Sequence, residues 1–127
     1  MERIFRKIDQ YFYDIQLVQE MDTEDAEVCV ISFGCVARAA ELAVHQARER
    51  GLKAGLLKLK TLFPFPRPAV EKMARQCRTL VVPELNMGQV SREIKRVNQN
   101  LSQIKTLNRV DGKTITPAEI LKLIQKG

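Results

Sequence analysis

The 127-residue sequence contains no tryptophan, a single histidine and three cysteines. Each scarcity closes off a class of function. Without Trp, and with no aromatic side chains interleaved among its lysines and arginines, the chain lacks the stacking platforms that nucleic acid binding favours. The thiols Cys29, Cys35 and Cys77 form no C-x-x-C pair, so neither a zinc ribbon nor an iron–sulfur cluster can be assembled from this chain alone. Cys29 lies inside an apolar strand pattern and reads as a small core residue. Cys35 reads as a packed thiol at a turn, since no histidine stands near it in sequence to activate it. His45 falls mid-helix in "LAVHQARER", a solvent-facing position with no second ligand nearby. A hydrolase needs a nucleophile, a base and an orienting group, and one histidine remote from the loops does not supply them. No apolar run approaches the ~20 residues of a membrane span. The start, "MERIFRKIDQ", mixes charge into its apolar pattern and does not read as a secretory leader. Few, unpaired thiols fit a cytoplasmic protein.

Two phosphate-binding signatures are also missing. No loop carries G-x-G-x-x-G or G-x-x-x-x-G-K-[ST]; "SFGCVARA" has one glycine where those motifs need two or three. What remains is an ordinary globular composition with a formal charge of +6. The basic residues are scattered over several elements, which favours a role in solubility, with attraction to an acidic partner as the sharper reading.

The pattern along the chain is an alternation of strands and helices. Ile4, Phe5, Ile8, Tyr11 and Phe12 recur at helical spacing and predict a helix near 2–12, followed by an extended segment near 14–20 and an acidic loop, "MDTEDAE". "EVCVIS" (27–32), "KAGLLKLK" (53–60), "TLVV" (79–82) and "SQIKTLNRV" (102–110) read as strands. Between them lie helices, the first burying Val36, Ala40, Ala43, Val44 and Ala47 and closing at Gly51. A later helix presents Val90, Ile94, Val97 and Leu101 on one face. The last, "TPAEILKLIQKG", opens with Thr116 as N-cap, Pro117 as first residue and Glu119 as the return partner of a capping box. Strands linked by crossover helices imply a parallel sheet covered on both faces.

Such sheets bind partners beyond the carboxyl ends of their strands, so two odd loops there carry the functional argument. In "PELNMGQ", Asn86 and Gln89 suit a helix cap and Gly88 permits close backbone approach. Glu84 is not explained by capping; an acid just past a buried strand must find donors, and the helix start at residues 34–37 would offer them. In "LFPFP", Leu62, Phe63 and Phe65 are apolar and Pro64 stiffens the segment, as suits an interface that loses little entropy on docking.

"SFGCVAR", "RERGLKAGLLKLKTLFPFP", "VVPELNMGQV" and "DGKTITPAEIL", in this order and spacing over residues 26–125, resemble the carboxy-terminal portion of the alpha subunit of 2-oxoacid:ferredoxin oxidoreductases, nearest the 2-oxoglutarate type. The resemblance implies a transketolase C-terminal-like α/β fold. It would have three layers and a five-stranded mixed sheet in the order 1-3-2-4-5, with strand 1 antiparallel. Residues 1–25 would be a helix and edge strand leading from a preceding domain, and 26–127 the domain itself. The family reaction is oxidative decarboxylation of a 2-oxoacid with coenzyme A, giving acyl-CoA, carbon dioxide and reduced ferredoxin. Thiamin diphosphate, Mg2+ and iron–sulfur clusters belong to the full complex, in which the preceding domain and the beta subunit hold the thiamin. The resemblance implies none of them in this chain, which is expected to be inactive alone.

The expected role is docking. Gly34, Glu84, Asn86, Gly88 and Gln89 would shape a carboxyl-edge surface, and Leu62, Phe63, Pro64 and Phe65 would add apolar contact. Partners implied by the resemblance are the thiamin-binding domain, the beta subunit, gamma and delta subunits, ferredoxin for the whole complex, or a second alpha subunit. Nucleic acid and membrane are not expected. Arg38, at a helix start, is a candidate anion contact. The alternatives are a stand-alone α/β module for a small anion, or the equivalent domain of another thiamin enzyme.

Overall fold

A strand that is apolar on both faces needs a layer on each side of it. β2 (Val28–Phe33) is such a strand, buried from Val28 through Ser32. It sits at the centre of a five-stranded sheet in the order β1-β3-β2-β4-β5, with β1 at Val18–Met21, β3 at Ala54–Leu59, β4 at Thr79–Glu84 and β5 at Gln103–Asn108. The computed structural model describes residues 18–60, 66–84, 89–99, 101–108 and 115–126. β2, β3, β4 and β5 run parallel, and β1 pairs antiparallel with β3, from Val18 opposite Leu59 to Met21 opposite Leu56. This is the predicted strand order, with the predicted antiparallel edge. The helix expected near 2–12 lies outside the described residues.

Side-chain alternation divides the core into two layers. Cys29, Ile31, Leu57, Leu80 and Val82 face α2 (Arg67–Gln76) and α3 (Gln89–Asn98), whose Val70, Met73, Val90 and Ile94 close that side. Val28, Val30, Leu56 and Val81 face α1 (Ala37–Glu49) and α4 (Pro117–Lys126). α1 buries Ala40, Ala43, Val44 and Ala47, the stripe its spacing predicts. It ends where Gly51 adopts φ +82°, with Gly51 N–H on Arg48 O at 3.0 Å and Leu52 N–H on Ala47 O at 3.0 Å. This is a glycine C-terminal motif that satisfies the last carbonyls. At the start of α4, Glu119 N–H reaches Thr116 Oγ1 (3.3 Å) and Thr116 N–H reaches Glu119 Oε1 (3.4 Å), forming the predicted capping box. His45 is exposed beside Glu49, and Cys29 is a core residue, as expected.

Two expectations change. β4 does not stop before Pro83 but continues to Glu84, paired along its full length with β5. On the other side the β2–β4 ladder has already ended at Val30 and Val81, so the missing Pro83 N–H interrupts no pairing there. Leu101 is not on the apolar face of α3; it is 52% exposed and lies beyond the helix. The buried Asn98 ends α3 by bonding Ser102 N (3.0 Å) and Ser102 O (2.8 Å), with Gln99 at φ +48°. That turn redirects the chain into β5 before Leu101 can complete a helical turn.

The acidic loop after β1 is pinned from several directions. Arg48 on α1 donates to Asp22 O (2.5 Å), Ala54 O (2.8 Å) and both Asp25 carboxylate oxygens (2.6 and 3.3 Å). Gln76, at the end of α2, donates to Thr23 O and to Ala26 O (3.2 Å). Gly55 completes the fit, since a Cβ there would stand 2.9 Å from both Ala26 Cβ and Asp22 O. Backbone cannot yield as a flexible side chain does, so Gly55→Ala is expected to cost about 1–3 kcal/mol, read as a lowered urea midpoint at unchanged m-value. The Arg48 guanidinium holds the Asp25 carboxyl below its ordinary value. A carboxyl depressed in the folded state contributes stability above the unfolded pKa and loses it as pH falls through the folded one. Urea unfolding of the native protein and Asp25→Asn should therefore differ at neutral pH and converge as pH falls below the ordinary aspartate range.

Candidate functional site

Parallel strands deliver their carboxyl ends to one rim. There the order β3-β2-β4 places a switch point between β2 and β4, since the chain leaves β2 towards β3 and returns on the other side as β4. The β2–β4 register runs only from Val28 and Thr79 to Val30 and Val81. The last three residues of each strand, Ile31–Phe33 and Val82–Glu84, lie outside that ladder, although each remains paired with its outer neighbour. The rim is thus open in the middle and supported on both flanks.

Two helices start at the switch point, α1 after β2 and α3 after β4, and the chain treats their unpaired N–H groups differently. Glu84 is 3% exposed, and its Oε2 accepts the Ser91 N–H in the first turn of α3 at 2.8 Å. A carboxylate there also meets the positive end of the helix dipole. Alternation along β4 puts Glu84 on the Leu80 and Val82 face, the face that α3 covers, and so brings it to Ser91. This donor, seven residues further along the chain, is one the sequence did not suggest.

The start of α1 has no such arrangement. A 3-10 turn at Gly34–Val36 precedes it; neither the turn nor the helix has a side-chain cap, and neither first turn carries an acid. Gly34 has φ +73°, and a Cβ there would meet nothing within 4 Å, so the turn needs glycine for its backbone angle and not for space. Arg38 is exposed in the first turn of α1. Beneath lies Ser32, fully buried, with no hydrogen-bond partner for its hydroxyl among the described residues. Across the ladder Ser32 sits opposite Lys58, whose ammonium pairs with Glu41 of α1.

Of the residues singled out by sequence, Gly34, Arg38 and Glu84 stand at this rim, and Gln89 opens α3. Leu62, Phe63, Pro64, Phe65, Asn86 and Gly88 lie outside the described residues. Residues that sequence reasoning passed over are Ser91, Arg48 and Gln76. Their bonds run to groups distant in the chain, and no local spacing marks them.

Among the described residues no group of three or more His, Cys, Asp or Glu is arranged to hold a metal ion. No described helix is long and apolar enough to cross a membrane. Among the described residues, the rim has buried polar groups, helix starts and the exposed arginines Arg38, Arg67 and Arg92 in first turns.

Comparison with known proteins agrees with this architecture. Residues 26–120 match the family model of the pyruvate:ferredoxin oxidoreductase core domain II, and the chain belongs to that family. A 2-oxoglutarate synthase subunit KorA of Methanothermobacter thermautotrophicus is 39% identical over 126 residues, covering 99% of this chain and 34% of that protein. The chain spans about a third of the length of the curated relatives it matches. The fold is similar to the 2-oxoglutarate:ferredoxin oxidoreductase of Magnetococcus marinus, solved with 2-oxoglutarate, coenzyme A and succinyl-CoA bound: TM-score 0.74 and 24% identity over 86% of this chain and 19% of that one. It is also similar to a split-gene transketolase, an inactive beta4 tetramer, with TM-score 0.73 and 17% identity over 85% of this chain and 40% of that one.

Removing the Glu84 carboxylate leaves a buried N–H at the start of α3 without that acceptor. Glu84→Ala is expected to lower stability by about 1–2 kcal/mol, and Glu84→Gln, which keeps an acceptor oxygen, by less. Urea denaturation followed by circular dichroism measures both; equal losses would show that the acceptor is not what matters.

Proposed function

We propose that this chain is the carboxy-terminal domain of the alpha subunit of a 2-oxoacid:ferredoxin oxidoreductase of the 2-oxoglutarate type, and that it serves as a structural and docking domain. Residues 1–25 would lead from a preceding domain and 26–127 would form the transketolase C-terminal-like unit. The observation that carries this reading is the 39% identity over 99% of the chain to a segment making up 34% of a 2-oxoglutarate synthase subunit. In the whole enzyme a 2-oxoacid is decarboxylated with coenzyme A to acyl-CoA and carbon dioxide while ferredoxin is reduced. Thiamin diphosphate with Mg2+ supplies the electron sink for that chemistry, and iron–sulfur clusters carry the electrons.

The described residues do not fit those groups. Cys29 and Cys77 are buried in the core, and no described set of acids converges as a magnesium site would need. The domain's contribution under this reading is the carboxyl rim. Gly34, Glu84, Asn86, Gly88 and Gln89 give it shape, and Leu62, Phe63, Pro64 and Phe65 add stiff apolar contact. It would pack on the thiamin-binding domain, the beta subunit or a second alpha subunit. The uncapped start of α1 beside exposed Arg38 favours a second reading, an independent module for a small anion.

Co-expression with the thiamin-binding parts of such an enzyme separates the two. The first reading expects the chain to co-purify with them, to be inactive alone, and to support coenzyme A-dependent ferredoxin reduction by 2-oxoglutarate when assembled. Charged replacements Phe63→Asp and Phe65→Asp should lower recovery of the assembly about tenfold, the equivalent of ~1.4 kcal/mol, with little change in the melting temperature of the chain. A chain that ignores those subunits but gains thermal stability from inorganic phosphate would establish the second reading instead.

A further inference from the structure

Helix starts favour acids, because the first turn carries the positive end of the helix dipole. Three helices of this chain break that preference in one place. α1, α2 and α3 follow the parallel strands β2, β3 and β4, so all three begin at the carboxyl rim. None has an acid in its first turn. Each has an arginine there instead, Arg38, Arg67 and Arg92, and all three are exposed. Lys60, the residue after β3, is exposed as well. Among the described residues none of these four cations makes an ion pair. The acids of the second turns are already engaged: Glu41 with Lys58, Glu71 with Arg75 (2.7 Å) and Glu93 with Arg96 (3.6 Å). α4, which follows edge strand β5, keeps the ordinary pattern, with Glu119 in its first turn.

We propose that the carboxyl rim docks an acidic protein surface, with Arg38, Arg67 and Arg92 facing carboxylates of the partner subunit. This rests on the docking role proposed above and gives the partner its chemistry. α1 covers one face of the sheet and α2 and α3 the other, so the arginines flank the rim from both sides. A cation at a helix start is an electrostatic cost to the free chain. Carboxylates opposite the rim turn that cost into attraction, and a guanidinium can engage a carboxylate through two parallel N–H donors.

Other occupants fit less well. Packing the rim of one copy on the rim of another about a two-fold axis would set like charges face to face. A nucleic acid strand would match the charge, but the sequence has no tryptophan and no aromatic interleaved with its basic residues to stack on bases.

The test measures association of the intact chain with the immobilised thiamin-binding parts of a 2-oxoacid:ferredoxin oxidoreductase by biolayer interferometry. The association rate should fall about tenfold as sodium chloride is raised from about 50 to about 500 mM. Arg38→Glu, Arg67→Glu and Arg92→Glu combined should lower it about tenfold at low salt, with a much smaller change in the dissociation rate. The same variant should melt no lower than the native chain, since glutamate suits a helix start. The triple glutamine variant, Arg38→Gln with Arg67→Gln and Arg92→Gln, should show a smaller loss in the same direction. As a control, Arg50→Glu, Lys53→Glu and Arg78→Glu reverse three exposed cations at the opposite end of the sheet, and should change the rate less than about twofold. Equal losses in rim and control variants, or no loss in either, would overturn the inference while leaving docking itself intact. A native chain that does not bind those parts would overturn both. Tighter binding to a single-stranded oligonucleotide than to those parts, lost in the rim variant, would assign the arginines to nucleic acid and overturn the inference.

Discussion

The parallel pairing of β2 with β4 over only three positions is the constraint on which the rest of the molecule depends. β2 is apolar on both faces and so must lie in the middle of the sheet. With β3 on one side, the next strand in sequence is sent to the other, which creates the switch point. Because the ladder ends at Val30 and Val81, the carboxyl halves of both strands are held by their outer neighbours alone. That accommodates Pro83 within a central strand, brings Glu84 to the start of α3 and leaves the Gly34 turn at the rim. The rim assembled this way is carried by regular elements, which under the docking proposal would limit the entropy lost when a partner binds.

The two edges of the sheet are built to different ends. The carboxyl rim carries an uncapped helix start and an exposed arginine. The amino edge is instead locked by side chains reaching backbone carbonyls: Arg48 on Asp22 and Ala54, Gln76 on Thr23 and Ala26, Ser102 on Ala74 and Cys77. Such bonds each add on the order of 1 kcal/mol net, but losing one strands a polar group at a larger cost. Among the described residues, the amino edge is therefore the one tied down by the larger number of such bonds.

Much of this was legible in the sequence because the signals are local or periodic. Continuous apolar runs marked β2 and β3, the helical stripe of α1 named its buried alanines, and Thr116-Pro117 with Glu119 marked the last helix. Antiparallel placement of β1 and the order of the sheet came from resemblance, since periodicity does not encode strand order. What stayed hidden depends on partners distant in sequence. Pro83 reads as a strand end until the neighbouring ladder is known to stop at Val81. Leu101 reads as helical until Asn98 is seen to bond Ser102. Glu84 was recognised as needing donors, but Ser91 could be identified only once alternation had assigned Glu84 to the face under α3. Arg48 stands in the last turn of α1, yet most of its bonds reach back to the loop at Asp22 and Asp25.

Hydrogen–deuterium exchange of the chain alone and within the assembled oxidoreductase tests the docking account most directly. The account predicts that assembly slows exchange at the carboxyl rim, in peptides covering Gly34–Val36 and the start of α3, while the amino-edge loop from Asp22 to Ala26 is unchanged. Protection confined to the amino edge, with the rim exchanging as fast as in the free chain, would contradict it.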